Sequence, residues 1–122
     1  MTKLRVLVCG GRNYTDVRKV ASVLGELWHY EGPLAIIQGG ARGADTLAAG
    51  WANLAPECSC ETYPADWKMY GVRAGPIRNQ RMIDEGKLNL VVAFPGGRGT
   101  TDMVNRAKKN NIEVIEVKSD GK

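Results

Sequence analysis

Val91-Val92-Ala93-Phe94-Pro95-Gly96-Gly97-Arg98-Gly99-Thr100-Thr101-Asp102-Met103 is the stretch that decides how the chain folds. An apolar, β-branched run of strand length ends in a Pro-Gly-Gly turn, and a helical pattern follows. A strand that delivers the chain into a Gly-rich loop at a helix N-terminus presents backbone N–H groups and the positive end of a helix dipole to an anion. Alone, such a loop is also a plain tight turn. Here it recurs. Gly10-Gly11-Arg12 and Gly39-Gly40-Ala41-Arg42-Gly43 also stand where an apolar strand gives way to a helix, and each carries an arginine.

Outward from that stretch, strands are predicted over residues 4–9, 34–38, 58–63, 88–94 and 112–117. The third is polar enough for an edge, and the fourth is buried on both faces. The first helix opens at Thr15 or Asp16, carries an apolar stripe of Val17, Val20, Ala21, Leu24, Leu27 and Trp28, and stops at Gly32-Pro33. The second starts near Ala44-Asp45, buries small residues and ends at Pro56. The third begins with Pro76 at its first position and runs to Gly86, and the fourth spans 101–109. Residues 64–75 form a long functional connection, and the last few residues a frayed tail.

Alternating strands and helices with short links predict one α/β domain over 1–122. Its architecture is a Rossmann-like three-layer fold with a parallel sheet of about five strands in the order 3-2-1-4-5. The chain then reverses its winding between strands one and four. Ligands of such sheets bind at that switch point, beyond the carboxyl ends of the strands. The three glycine loops converge there.

The composition is that of an ordinary globular chain, with 122 residues, 43% hydrophobic and 25% charged, and a net charge of +4. No apolar run approaches a membrane span. The N-terminal segment is too short for a signal peptide and leads directly into a strand, so a cytoplasmic location is expected. Cys9, Cys58 and Cys60 have no framework spacing, and the lone His29 has no partner for metal binding or nucleophilic catalysis. Neither a metal nor a cofactor is expected.

The candidate ligand-binding residues follow from the loops: Gly10, Gly11 and Arg12; Gly39, Gly40, Arg42, Gly43 and Asp45; Gly96, Gly97, Gly99 and Thr100. Neither loop one nor loop two has the spacing of a dinucleotide fingerprint or a P-loop. Arg78, in the first turn of helix three, can clamp a phosphate, whereas Arg81 faces solvent. Trp67 and Tyr70 either stack on a base or anchor the long connection. Asp102 is the acid nearest the Pro-Gly-Gly loop, as a dipole partner or a general base.

These motifs, together with Pro64-Ala65-Asp66-Trp67, Gly75-Pro76-Ile77-Arg78-Asn79 and Met82, resemble those of the SLOG superfamily (the SMF/DprA and LOG group), in particular its YspA/YpsA-related branch. The resemblance covers nearly the whole chain and adds Asn79, Pro95 and Arg98 to the ligand-binding set. It implies a domain that binds nucleotides or nucleotide-derived molecules, in a branch common in phages and often dimeric. Some members hydrolyse nucleoside monophosphates at the N-glycosidic bond, using an Arg in a pattern like Arg78-Asn79-Gln80-Arg81-Met82. They also use a Glu at the position occupied here by Met103, and a thioether can neither activate water nor stabilise an oxocarbenium-like state. Binding of a nucleotide-like ligand is therefore the first expectation. Phosphoribohydrolysis, with Arg78 and Asp102 as catalytic residues (Asp45 or Asp16 as stand-ins), is the alternative. Single-stranded nucleic-acid binding, suggested by the basic pI, comes third.

Overall fold

The computed structural model describes residues 2–119. Five parallel strands, β1 (Leu4–Cys9), β2 (Leu34–Gln38), β3 (Ser59–Thr62), β4 (Leu90–Ala93) and β5 (Glu113–Glu116), form one sheet in the order β3-β2-β1-β4-β5. The predicted order holds, and β1 lies between β2 and β4, with Leu4 beside Leu34 and Val6 beside Leu90. Strands that alternate faces with period two must feed two cores. Val6, Val8, Ile36 and Val92 point to one side. There they pack with Val20 and Leu24 of α1 (Val17–Glu31) and Ala44, Ala48 and Ala52 of α2 (Ala44–Leu54). Leu7, Cys9, Ile37 and Val91 point to the other. There they meet Met82 and Ile83 of α4 (Ala74–Glu85) and Met103, Val104 and Ala107 of α5 (Arg98–Lys109). Alanines at every fourth position let α2 lie close on the sheet.

Asp16 caps α1, its carboxylate accepting from Lys19 N at 3.0 Å. Val17 and Ala21, expected in the apolar stripe of α1, lie outward and exposed. The stripe is centred on the fully buried Val20 and Leu24, with Val23 and Leu27 partly buried against the same core.

Several boundaries differ from the sequence reading, most of them by one or two residues at an element's end, and three have a clear local cause. The 64–75 connection is not structureless: α3 (Trp67–Tyr70) and a 3₁₀ turn (Gly71–Arg73) occupy it, and α4 begins at Ala74, two residues before Pro76. The cause is a local cap, since Asp66 accepts from Met69 N at 3.0 Å, and this lets the chain turn within a segment that buries no side chain. Likewise α5 starts at Arg98 rather than Thr101, because Gly97 serves as N-cap and Thr101 N already reaches Gly97 O at 3.0 Å. Strand β4 opens at Leu90 rather than Leu88, after Asn89 has paired its backbone and side chain with Arg5. The expected frayed tail falls on residues 120–122, outside the described residues.

At the amino-terminal edge of the sheet, Arg5 makes a bidentate pair with Glu61 at 2.8 and 2.7 Å and donates to Gly86 O. The guanidinium's hydrogen bond holds the Glu61 carboxyl below its ordinary range. This ties β1, β3 and the end of α4 together at the end of the sheet opposite the glycine loops. Among the described residues no helix is long and apolar enough to cross a membrane.

Candidate functional site

The loops after β1, β2 and β4 meet at the carboxyl edge of the sheet and interlock. Gly11 N donates to Pro95 O at 2.9 Å, and Gly11 O accepts from Ala44 N at 3.2 Å. A Cβ on Gly10 would lie 2.6 Å from Ala44 Cβ, and one on Gly96 would lie 2.6 Å from Gly11 N. Gly43 has φ +78° and ψ −128°, and a Cβ there would press into Gly11 O and Arg12. These glycines allow three backbones to touch one another.

Beneath them lies a crevice of about 630 Å³, within the range of small-molecule sites. Twelve of the predicted ligand-binding residues line it: Gly10, Gly11, Arg12, Gly39, Asp45, Trp67, Arg78, Asn79, Gly97, Arg98, Gly99 and Thr100. Asp102 does as well. Gly40 and Arg42 line an adjoining hollow that shares Arg12, Gly39, Trp67 and Arg78. Gly43, Pro95 and Gly96 are not among the lining residues, and their contacts are with the neighbouring loops. The sequence reading missed Val8, Cys9, Met82 and Val72. Val8 and Cys9 end an apolar strand and read as core. Met82 is 2% exposed yet meets the crevice at one edge, and Val72 arrives on the turn that had read as loop.

An accounting of backbone N–H groups separates the loops. In the second, Gly39 N and Ala41 N donate to Asp45 Oδ2 at 3.1 and 3.2 Å, and Gly40 N donates to Gln38 Oε1 at 2.6 Å. That loop is already held by its own side chains. In the third, Arg98, Gly99 and Thr100 N–H have no protein acceptor among the described residues, and Gly97 supplies no side-chain cap. A Cβ on Gly97 or Gly99 would meet nothing within 4 Å. The N-terminus of α5 is thus an open row of donors at the positive end of a three-turn helix.

Arg78 is placed differently from a free phosphate clamp. Its Nη1 donates to Gly39 O at 2.7 Å and to Tyr63 O at 3.4 Å, and its Nε donates to Asn79 Oδ1 at 3.0 Å. Burial lowers its pKa, against the pull of Asp45; a guanidinium remains charged all the same. Nη2 alone has no protein acceptor among the described residues. Arg78 therefore braces the β2 loop and offers the crevice one further donor direction. Arg12 lies over the half-exposed Trp67 ring, 5.2 Å from its centroid, so a cation–π contact closes one rim.

The carboxylates differ in state. Asp102 is partly buried, which raises its pKa. Hydrogen bonds from Arg106 Nε (2.8 Å) and Asn79 Nδ2 (2.9 Å) outweigh burial, and the carboxyl stays below its ordinary range. Asn79 also donates to Gly99 O, and Arg106 to Gln80 Oε1. This network fixes α4 against the start of α5. Asp45 is 6% exposed, and burial raises its pKa despite the two N–H bonds and Arg78. Cys9, also at the crevice floor, is pushed up by burial to about 12, and its thiol is inert. Met103 is fully buried between α5 and the sheet. Position 103 faces the core, and position 102 faces the crevice.

The family model described as the YspA, cpYpsA-related SLOG family matches residues 4–70. Gene 61 protein of Mycobacterium phage D29 is 37% identical over 123 aligned positions, covering 91% of this chain and 94% of the phage protein. Among solved structures, DNA processing protein A (DprA) from Streptococcus pneumoniae superposes with a TM-score of 0.74 at 19% identity, over 96% of this chain and 51% of that one. The chain spans about half the length of DprA, and the likeness is one of fold.

Proposed function

Because the chain belongs to the YspA, cpYpsA-related SLOG family, we propose that it binds a nucleotide or nucleotide-derived small molecule in this crevice. The observation that carries the reading is the unpaired N–H row of Arg98, Gly99 and Thr100 at the crevice wall. It is the natural seat for the phosphate. Arg98 and Arg12 add positive charge, and Trp67 offers a ring face for the base. Val8, Met82 and Val72 supply the apolar surface on which a ligand of this size buries most of its area.

Binding is favoured over N-glycosidic hydrolysis by the state of Asp102. A carboxylate already accepting from Arg106 and Asn79 is a weak base and a poor activator of water. Isothermal titration with nucleoside mono- and diphosphates tests the proposal, run beside mass spectrometry of whatever small molecule copurifies. Saturable binding that weakens about tenfold or more in Gly99→Ala is expected, since the added methyl stands among the donors. Binding unaffected by both Gly97→Ala and Gly99→Ala refutes this seat. Single-stranded nucleic acid is the reading that the fold likeness to DprA raises, and its signature is steeply salt-dependent oligonucleotide binding.

A further inference from the structure

Asp45 carries an observation that phosphate binding leaves unexplained. The residue sits in the first turn of α2 at the crevice floor, nine-tenths buried. Its Oδ2 accepts from two backbone N–H groups of the β2 loop. Its Oδ1 has no protein donor among the described residues, and no side-chain oxygen there is both sealed from solvent and unpartnered. Oδ1 therefore opens toward the crevice. Arg78, the nearest cation, makes its contacts with carbonyls and Asn79 rather than with this carboxylate.

A carboxylate oxygen repels a phosphate and seeks a hydrogen-bond donor. The two poles of the crevice are thus chemically opposite, with an acceptor at the end of β2 and a donor row at the end of β4. β1 lies between β2 and β4, and both poles line the same crevice, so one ligand that carries a phosphate and a sugar hydroxyl can engage both.

We propose that Asp45 Oδ1 accepts a ribose hydroxyl of the bound ligand, so that the crevice distinguishes a ribonucleotide from its 2′-deoxy or its 3′-deoxy counterpart. This rests on the nucleotide reading above and adds the sugar and its orientation, with phosphate on α5 and hydroxyl on α2. A site that hydrogen-bonds a hydroxyl discriminates against the analogue lacking it, because the buried polar group is left unpaired.

The test titrates the intact chain with the four nucleoside 5′-monophosphates and their 2′-deoxy and 3′-deoxy counterparts. The wild-type protein is expected to bind at least one ribonucleotide tenfold or more tightly than one of its deoxy forms. In Asp45→Asn the amide oxygen still accepts from Gly39 and Ala41, so the loop is kept and the protein is no less stable than wild type. The charged acceptor is gone, and the preference should shrink to threefold or less. Equal binding of ribo and both deoxy forms by wild type, or an unchanged preference in Asp45→Asn, overturns the role of Asp45 and leaves the phosphate seat standing. Binding of none of the twelve overturns the nucleotide reading and this inference with it.

Discussion

Gly43 and Gly97 make opposite demands on their loops, and replacing each by alanine separates architecture from binding. Gly43 holds φ +78° with ψ −128°, a conformation that costs an L-residue about 1–2 kcal/mol or more. Its added Cβ would also lie 2.7 Å from Arg12 C and O, and closer still to Gly11 O. These are backbone atoms that cannot rotate away, and overpacking of this kind costs about 1–3 kcal/mol. Gly43→Ala should therefore lose ~3–5 kcal/mol, a large share of the roughly 5–15 kcal/mol typical of a domain. Urea denaturation followed by circular dichroism reads this as a midpoint about 2 M lower, for a slope of ~2 kcal/mol/M. Gly97 has φ −104°, and a methyl added there would meet nothing within 4 Å. Gly97→Ala should leave the midpoint unchanged or slightly raised, by up to ~1 kcal/mol through the unfolded chain, while nucleotide affinity falls about tenfold. A Gly43→Ala midpoint within ~1 kcal/mol of wild type would refute the interlocked-loop argument. A Gly97→Ala protein as unstable as Gly43→Ala would refute the open character of the α5 terminus.

Arg78→Ala should reduce stability by about 1.5–3 kcal/mol, as expected for charged hydrogen bonds to Gly39 O, Tyr63 O and Asn79. Arg12→Ala should lower only affinity, by a similar amount, with an unaltered urea midpoint. The carboxyl of Asp45 sits above its unfolded value, so wild-type stability falls as pH rises through the folded pKa. Asp45→Asn should gain on wild type between pH 3 and pH 7, and urea midpoints that show no such trend contradict the burial assignment. Asp102 has the opposite sign. Its contribution is present above the ordinary carboxylate value and lost as pH falls through its depressed one. Asp102→Asn should therefore cost stability at pH 7 and little at pH 2, by the same measurement.

Much of the fold and part of the site were legible in the chain itself. Periodicity resolved the five strands because β1, β2 and β4 are buried on both faces and must read as continuous apolar runs. The order 3-2-1-4-5 was the expectation for a sheet with helices on both faces, and the convergence of three glycine loops followed from that order. The short helix Trp67–Tyr70 was hidden because it buries nothing and so leaves no periodic signal; its only trace is Asp66 ahead of Trp67.

Tertiary structure decided which partner each polar group takes. From sequence, all three glycine loops were equal candidates for an anion. Asp45 folds back onto the second and takes its N–H groups, and Pro95 takes Gly11 N from the first. The start of α5 keeps a run of three donors, the N–H groups of Arg98, Gly99 and Thr100, with no protein acceptor among the described residues. Arg78, through the family resemblance, and Asp102, as the acid nearest the Pro-Gly-Gly loop, were the catalytic candidates, and their bonds to Gly39, Asn79 and Arg106 give them bracing work. Met103 occupies a position where a catalytic Glu was sought, yet the register of α5 turns it into the core and turns Asp102 to the crevice. One residue along a helix is a rotation of about 100°, and only packing against the sheet fixes where that rotation begins.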